Sequence, residues 1–106
     1  MSDALDRLFA TITARKGADP ASSYTAKLLA EGVEKCAKKF GEEATEAVIA
    51  AISRDKAELA KESADVLYHL LVLWAASGVT PEEVYAVLQA REGQSGLAEK
   101  AARSKP

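Results

Sequence analysis

The stretch that decides the fold is GEEATEAVIAAISRDKAELAKESADVLYH, Gly41 to His69. It carries two acidic clusters, Glu42-Glu43-x-x-Glu46 and Glu62-x-x-Asp65. Residues three or four apart share a face of an α-helix, so each cluster projects its carboxylates from one side. Arg54-Asp55 marks a turn between them, and Asp55-x-x-Glu58 has the form of a helix N-terminal cap. Fifteen residues separate Glu46 from Glu62, enough to finish one helix, turn and return antiparallel. That return brings the clusters together. Four or five converging carboxylates cannot all stay ionised without a counter-cation.

Working outward from this pair, Val33 to Ser53 reads as one amphipathic helix, and about Lys56 to Ser77, stopped by Gly78, as the next. On the first, with a turn of about 100° per residue, Val33, Phe40, Ala44, Ala47 and Ala51 form the expected apolar stripe. Lys35, Lys39, Glu42, Glu43 and Glu46 fall on another side, where Lys39 and Glu43 suit a solvated i,i+4 pair. On the second, Glu58, Glu62, Asp65 and His69 lie on one line at spacings of 4, 3 and 4, continuing into Val72 and Leu73. After Val66 that helix is almost wholly apolar, so Glu62 and Asp65 are expected beside or within a buried face. An unpaired buried carboxylate is costly and tends to take up a proton. Paired lysines could neutralise the cluster, but metal coordination accounts better for so many acids. His69 reads as a packed histidine, or one supporting a ligand, before it reads as a ligand itself.

Further out, Ser2 caps a first helix carrying Leu5, Leu8, Phe9 and Ile12, ended by Gly17-Ala18-Asp19-Pro20. Ser22 or Ser23 caps a second, Tyr24 to about Glu31, and Gly32 either kinks or breaks the chain there. Thr80-Pro81-Glu82-Glu83 opens a last helix with Val84, Val87 and Leu88 on its apolar face and Gly93 at its end. The remainder, GQSGLAEKAARSKP, is small, polar and basic; it is read as a frayed tail or as a phosphate-binding flap assisted by Arg91. No strand is expected. The fold class is all-α: an antiparallel bundle of four to five helices over residues 1–106 as a single domain, with 94–106 a basic tail.

Composition agrees with a small globular helical protein. The chain has 106 residues, 48% hydrophobic and 28% charged, with only 6 glycines and 3 prolines to interrupt helices. A net charge of -2 and a pI near 5.4 argue against a general nucleic-acid or membrane-surface binder. The single cysteine, Cys36, cannot form an internal disulfide and suits a reducing compartment. No signal pattern is expected at the N-terminus and no apolar run is long enough to span a bilayer, so a cytoplasmic protein is expected. So modest a core also favours completion by dimerisation.

Hard oxygen ligands point to Mg²⁺, with Mn²⁺ as the alternative, and the lack of a Glu-x-x-His pair argues against a di-iron centre. Glu43 and Glu46 on one helix with Glu62 and Asp65 on the other would supply four carboxylates. No Walker-type glycine loop or dinucleotide fingerprint competes with this constellation.

Glu43-x-x-Glu46, the fifteen-residue interval and Glu62-x-x-Asp65 resemble the metal motif of the all-α nucleotide pyrophosphatases, the MazG-like superfamily. Four stretches narrow the resemblance to the phosphoribosyl-ATP pyrophosphatase family: SYTAKLLAEG (Ser23 to Gly32), KKFGEEATEAVIAA (Lys38 to Ala51), ESADVLYHLLVL (Glu62 to Leu73) and REGQSGLAEKAAR (Arg91 to Arg103). The resemblance implies Mg²⁺-dependent hydrolysis of 1-(5-phosphoribosyl)-ATP to 1-(5-phosphoribosyl)-AMP and pyrophosphate, the second step of L-histidine biosynthesis. It further implies a homodimer and, for a chain too short for a fused cyclohydrolase, the stand-alone form.

Under that resemblance Glu43, Glu46, Glu62 and Asp65 hold the metal, and Glu42 is an outer ligand or orients water. Lys35, Lys38 and Lys39, with Arg91, Lys100 and Arg103, are candidates to neutralise the substrate's phosphates. Tyr24 and Lys27 match the family's N-terminal motif and are candidates for placing the substrate. Two rivals stand beside it: a house-cleaning nucleoside triphosphate pyrophosphatase with the same metal site, and a helical dimerisation module with solvated acids. The helices lack the sustained heptad the module would need.

Overall fold

The structure, a computed structural model, describes residues 3–93. Five helices follow one another: α1 (Asp3–Ala14), α2 (Tyr24–Glu31), α3 (Val33–Ile52), α4 (Lys56–Ser77) and α5 (Pro81–Ala90), and no strand occurs among the described residues. The all-α reading is therefore the fold. Ser2, Lys100, Arg103 and the tail from residue 94 lie outside the described residues.

Local chemistry sets most of the boundaries. Ser23, not Ser22, caps α2, its hydroxyl accepting from the Ala26 amide at 3.1 Å. Gly32 breaks the helix rather than kinking it. Its φ of 97° and ψ of 177° fall in a region essentially reserved for glycine, and its N–H closes α2 on the Leu28 carbonyl. The Asp55 carboxylate caps α4 by accepting from the Glu58 amide at 3.0 Å. Thr80 caps α5 in the same way, with Pro81 at its first position. The regular part of the last helix ends at Ala90; Arg91 and Glu92 follow in a tightened turn with bonds to Leu88 and Gln89, and Gly93, at a left-handed φ of 81°, closes it.

α4 is the hub. Its longest interface is with α3, and it also packs against α1 and α2. Ile12, Leu28, Cys36, Leu71, Val72 and Ala75 form the buried core, with Phe9, Leu29, Tyr68 and Trp74 packed around it. Each large aliphatic side chain so withdrawn contributes about 1.5–3 kcal/mol. α5 leaves α4 at 109° and is held to α1 by the Tyr85 hydroxyl, which donates to Asp6 Oδ1 at 3.1 Å. Among the described residues no single helix is long and apolar enough to cross a membrane.

The stripe expected on α3 is only partly the packed face. Phe40, Ala44 and Ala47 are half-buried, while Val33 and Ala51 are exposed. The buried positions are instead Cys36 and Ala50. With Phe40, Glu43 and Ala47 between them, these positions run at alternating spacings of four and three. That is the seam along which an antiparallel neighbour packs. Alanines carry too little apolar area to fix a helix's rotation, so the pairing with α4 decides it.

Candidate metal centre

The α3 seam meets the α4 line Glu58, Glu62, Asp65, His69 and Val72 in antiparallel register. The first acidic cluster thereby falls opposite the second. Glu43, Glu62 and Asp65 each offer one carboxylate oxygen, and these oxygens lie within 4.8 Å of one another. Glu62 is buried, while Glu43 and Asp65 are half-buried.

Glu62 is the chemically informative member. Its Oε2 is withdrawn from solvent and finds no hydrogen-bond partner among the described residues. Burial, first, pushes its carboxyl up to about 7. The neighbouring carboxylates of Glu58, Glu46 and Asp65 act in the same direction, since each favours a proton on Glu62 over a further negative charge. A buried polar atom left unsatisfied is expensive. Every donor in the cluster is a carboxylate oxygen, so the set fits a hard, oxygen-preferring divalent cation and offers nothing to a soft one.

Glu46 lies outside the tight triplet but within reach of Glu62. Both open onto a groove of about 370 Å³ that also includes Ala50, Ser53, Asp55 and Glu58. Glu42 is exposed and turned to Lys39, its carboxylate 3.3 Å from the ammonium. This ion pair replaces the Lys39–Glu43 pair expected from the sequence, because Glu43 faces α4. The bond to Glu42 is also the main reason the Lys39 ammonium is held above its ordinary value.

Tyr24, the first residue of α2, closes one side of the site. Its hydroxyl is 3.3 Å from Nε2 of His69, whose Nδ1 is 2.8 Å from the Asp65 carbonyl. Burial raises the Tyr24 phenol; Lys39 opposes the rise, and Tyr68, Glu43 and Glu42 add to it. Lys27, Lys35, Lys38 and Arg91 are exposed. Sequence reasoning gave no site role to Glu58, although its place one turn before Glu62 on the same line was the available signal. It gave none to Tyr68 either, whose ring stands edge-on to His69 at 4.9 Å.

Among the described residues two paired helices bring acidic clusters face to face, as the motif Glu43-x-x-Glu46 … Glu62-x-x-Asp65 leads one to expect. The family model for phosphoribosyl-ATP pyrophosphohydrolase matches residues 5–92, and the chain belongs to that family of hydrolases. Among its relatives, a phosphoribosyl-ATP pyrophosphatase of Cereibacter sphaeroides is 70% identical over 99 residues, covering 93% of this chain and 96% of the relative. One of Parvibaculum lavamentivorans is 67% identical, covering 93% and 91%. One of Rhodobacter capsulatus is 65% identical, covering 94% and 97%.

Proposed function

We propose that this chain hydrolyses 1-(5-phosphoribosyl)-ATP to 1-(5-phosphoribosyl)-AMP and pyrophosphate, the second step of L-histidine biosynthesis, with Mg²⁺ as its cofactor and Mn²⁺ as a substitute. The substrate comes from the relatives, which carry the phosphoribosyl-ATP pyrophosphatase name at 64–70% identity. The catalytic half rests on one observation, a buried oxygen of Glu62 with no partner among the described residues, inside a cluster made only of carboxylates.

Glu43, Glu62 and Asp65 would hold the ion, with Glu46 completing the set from the same groove. When bound, Mg²⁺ supplies neutralisation of phosphate charge and a more acidic water. Glu42, exposed beside the centre, can orient the attacking water. Lys39 holds it in place. Lys35, Lys38, Lys39 and Arg91, with Lys100 and Arg103, are the candidate cations for the phosphates. In the reaction, water's oxygen adds at one side of the bridge between the α and β phosphates. The bridging oxygen leaves with the other side, and one proton is released to a base or to solvent.

The protein acts in the cytoplasm in this reading, in keeping with its unpaired, buried Cys36. It acts as a homodimer, for which the support is the apolar surface left on α3, where Val48, Ile49 and Ile52 are 56%, 58% and 76% exposed. Sedimentation of wild type against Ile52→Lys tests the dimer, and a wild-type monomer would refute it.

The substrate is tested by incubating the protein with Mg²⁺ and either phosphoribosyl-ATP or simple deoxynucleoside triphosphates. Rapid release of pyrophosphate and phosphoribosyl-AMP from the first alone is expected. Equal release from the deoxynucleotides would make the protein a house-cleaning pyrophosphatase instead.

A further inference from the structure

We infer that His69 is a positioning residue for the substrate and acts through Tyr24. This rests on the phosphoribosyl-ATP reading and adds to it a residue outside the carboxylate set. His69 is the chain's single histidine and is buried, only 7% exposed, four residues after Asp65 on the line of carboxylates. Its Nδ1 lies 2.8 Å from the Asp65 backbone oxygen. A carbonyl can only accept, so Nδ1 carries a hydrogen, and in the tautomer with that single ring hydrogen Nε2 is the acceptor. Nε2 faces the Tyr24 hydroxyl at 3.3 Å, which must therefore donate.

The ring cannot easily rotate out of this arrangement. Tyr68 stands against it at 89° and is itself held by a hydrogen bond with Thr25. The consequence falls on Tyr24. It is 51% exposed and close enough to Glu42, Glu43 and Lys39 to feel their charges. With its only proton committed to His69, the phenol offers lone pairs and no donor to whatever enters the site. Phosphate oxygens have no hydrogen to give such an acceptor. A ribose hydroxyl or a purine amino group has. Tyr24 is thus set to contact the nucleoside end of the substrate, leaving the phosphates to the lysines and the metal.

Steady-state kinetics on phosphoribosyl-ATP with saturating Mg²⁺ would compare Tyr24→Phe, His69→Asn, His69→Gln and the double variant Tyr24→Phe/His69→Asn. Asparagine keeps a donor near the place of Nδ1 but falls short of Tyr24, whereas glutamine can put its amide oxygen at the level of Nε2. Tyr24→Phe and His69→Asn should each raise KM roughly three- to tenfold, the worth of one hydrogen bond, with kcat little changed. The double variant should be no worse than either single one, and His69→Gln should recover most of the loss.

A second readout needs no turnover. The two ring-nitrogen resonances of the lone histidine should report an Nδ1–H tautomer, and Tyr24→Phe should shift Nε2 alone. The inference is overturned if His69→Asn leaves KM unchanged while Tyr24→Phe raises it, if the two effects add, or if Nε2 carries the hydrogen. If a His69 variant fails to fold, the resonances of wild type and Tyr24→Phe decide. Failure of wild type to turn over phosphoribosyl-ATP would instead refute the substrate reading, with the tautomer still measurable.

Discussion

Acidification from pH 8 to pH 5.5 should weaken divalent-metal binding through one group, Glu62. Its carboxyl is raised from an ordinary 4.5 to about 7. Metal and proton compete for the same oxygens, so affinity follows the ionised fraction. That fraction is about 0.9 at pH 8 and about 0.03 at pH 5.5, so the affinity for Mg²⁺ or Mn²⁺ should fall roughly 30-fold.

The stability of the metal-free protein should move the other way. An acid whose folded value is raised keeps its proton longer in the native state. Its contribution is full below about 4.5 and is lost as pH rises through about 7. Calorimetric titration of Mn²⁺ at several pH values, in buffers of different ionisation enthalpy, would give both the affinity and the protons released on binding. Near pH 6 about one proton per metal should appear, and Glu62→Gln should bind weakly with that pH dependence gone. Affinity that is flat from pH 6 to pH 8, or a pH slope surviving in Glu62→Gln, would rule Glu62 out as the group that competes with the metal for a proton.

Three further outcomes concern the scaffold. Leu71 is 1% exposed at the centre of the core, so Leu71→Ala should cost about 2–5 kcal/mol in denaturant unfolding. A cost well under 1 kcal/mol would contradict that packing. Asp55→Ala removes the acceptor of the Glu58 amide and should destabilise by about 0.5–2 kcal/mol, while Asp55→Ser should be nearly silent. Gly32→Ala meets open space but a forbidding backbone, with φ at 97°, and should cost about 1–3 kcal/mol by strain alone. Wild-type stability in that variant would mean the break between α2 and α3 does not need glycine.

The helix ends were legible where one residue's side chain or backbone decides them: Asp55 and Thr80 as caps, Gly78 as the left-handed stop of α4. The acidic line of α4 was legible too, because its spacing matches the helix and strongly apolar residues continue it. Rotation of α3 was not. Glu42 and Glu43 are adjacent and lie in the same sector, and only the seam with α4 decides which enters the cluster and which pairs with Lys39. The tie between Tyr24 and His69 joins residues 45 apart in the chain, and nothing local at either position announces it. Val48, Ile49 and Ile52 share one helix face at spacings of three and four, and only the rotation of α3 shows that this face is exposed.

In the proposed function the seam between α3 and α4 is a divalent-metal centre on which pyrophosphate release depends. It is tested most directly by the rate of Mg²⁺-dependent pyrophosphate release from phosphoribosyl-ATP in wild type and Glu62→Gln, with helicity and melting temperature measured on the same samples. Glu62→Gln should lose roughly a hundredfold or more in rate, and lose the rise in melting temperature on adding Mg²⁺, while remaining folded. A folded Glu62→Gln protein that releases pyrophosphate at the wild-type rate and is still stabilised by Mg²⁺ would contradict it.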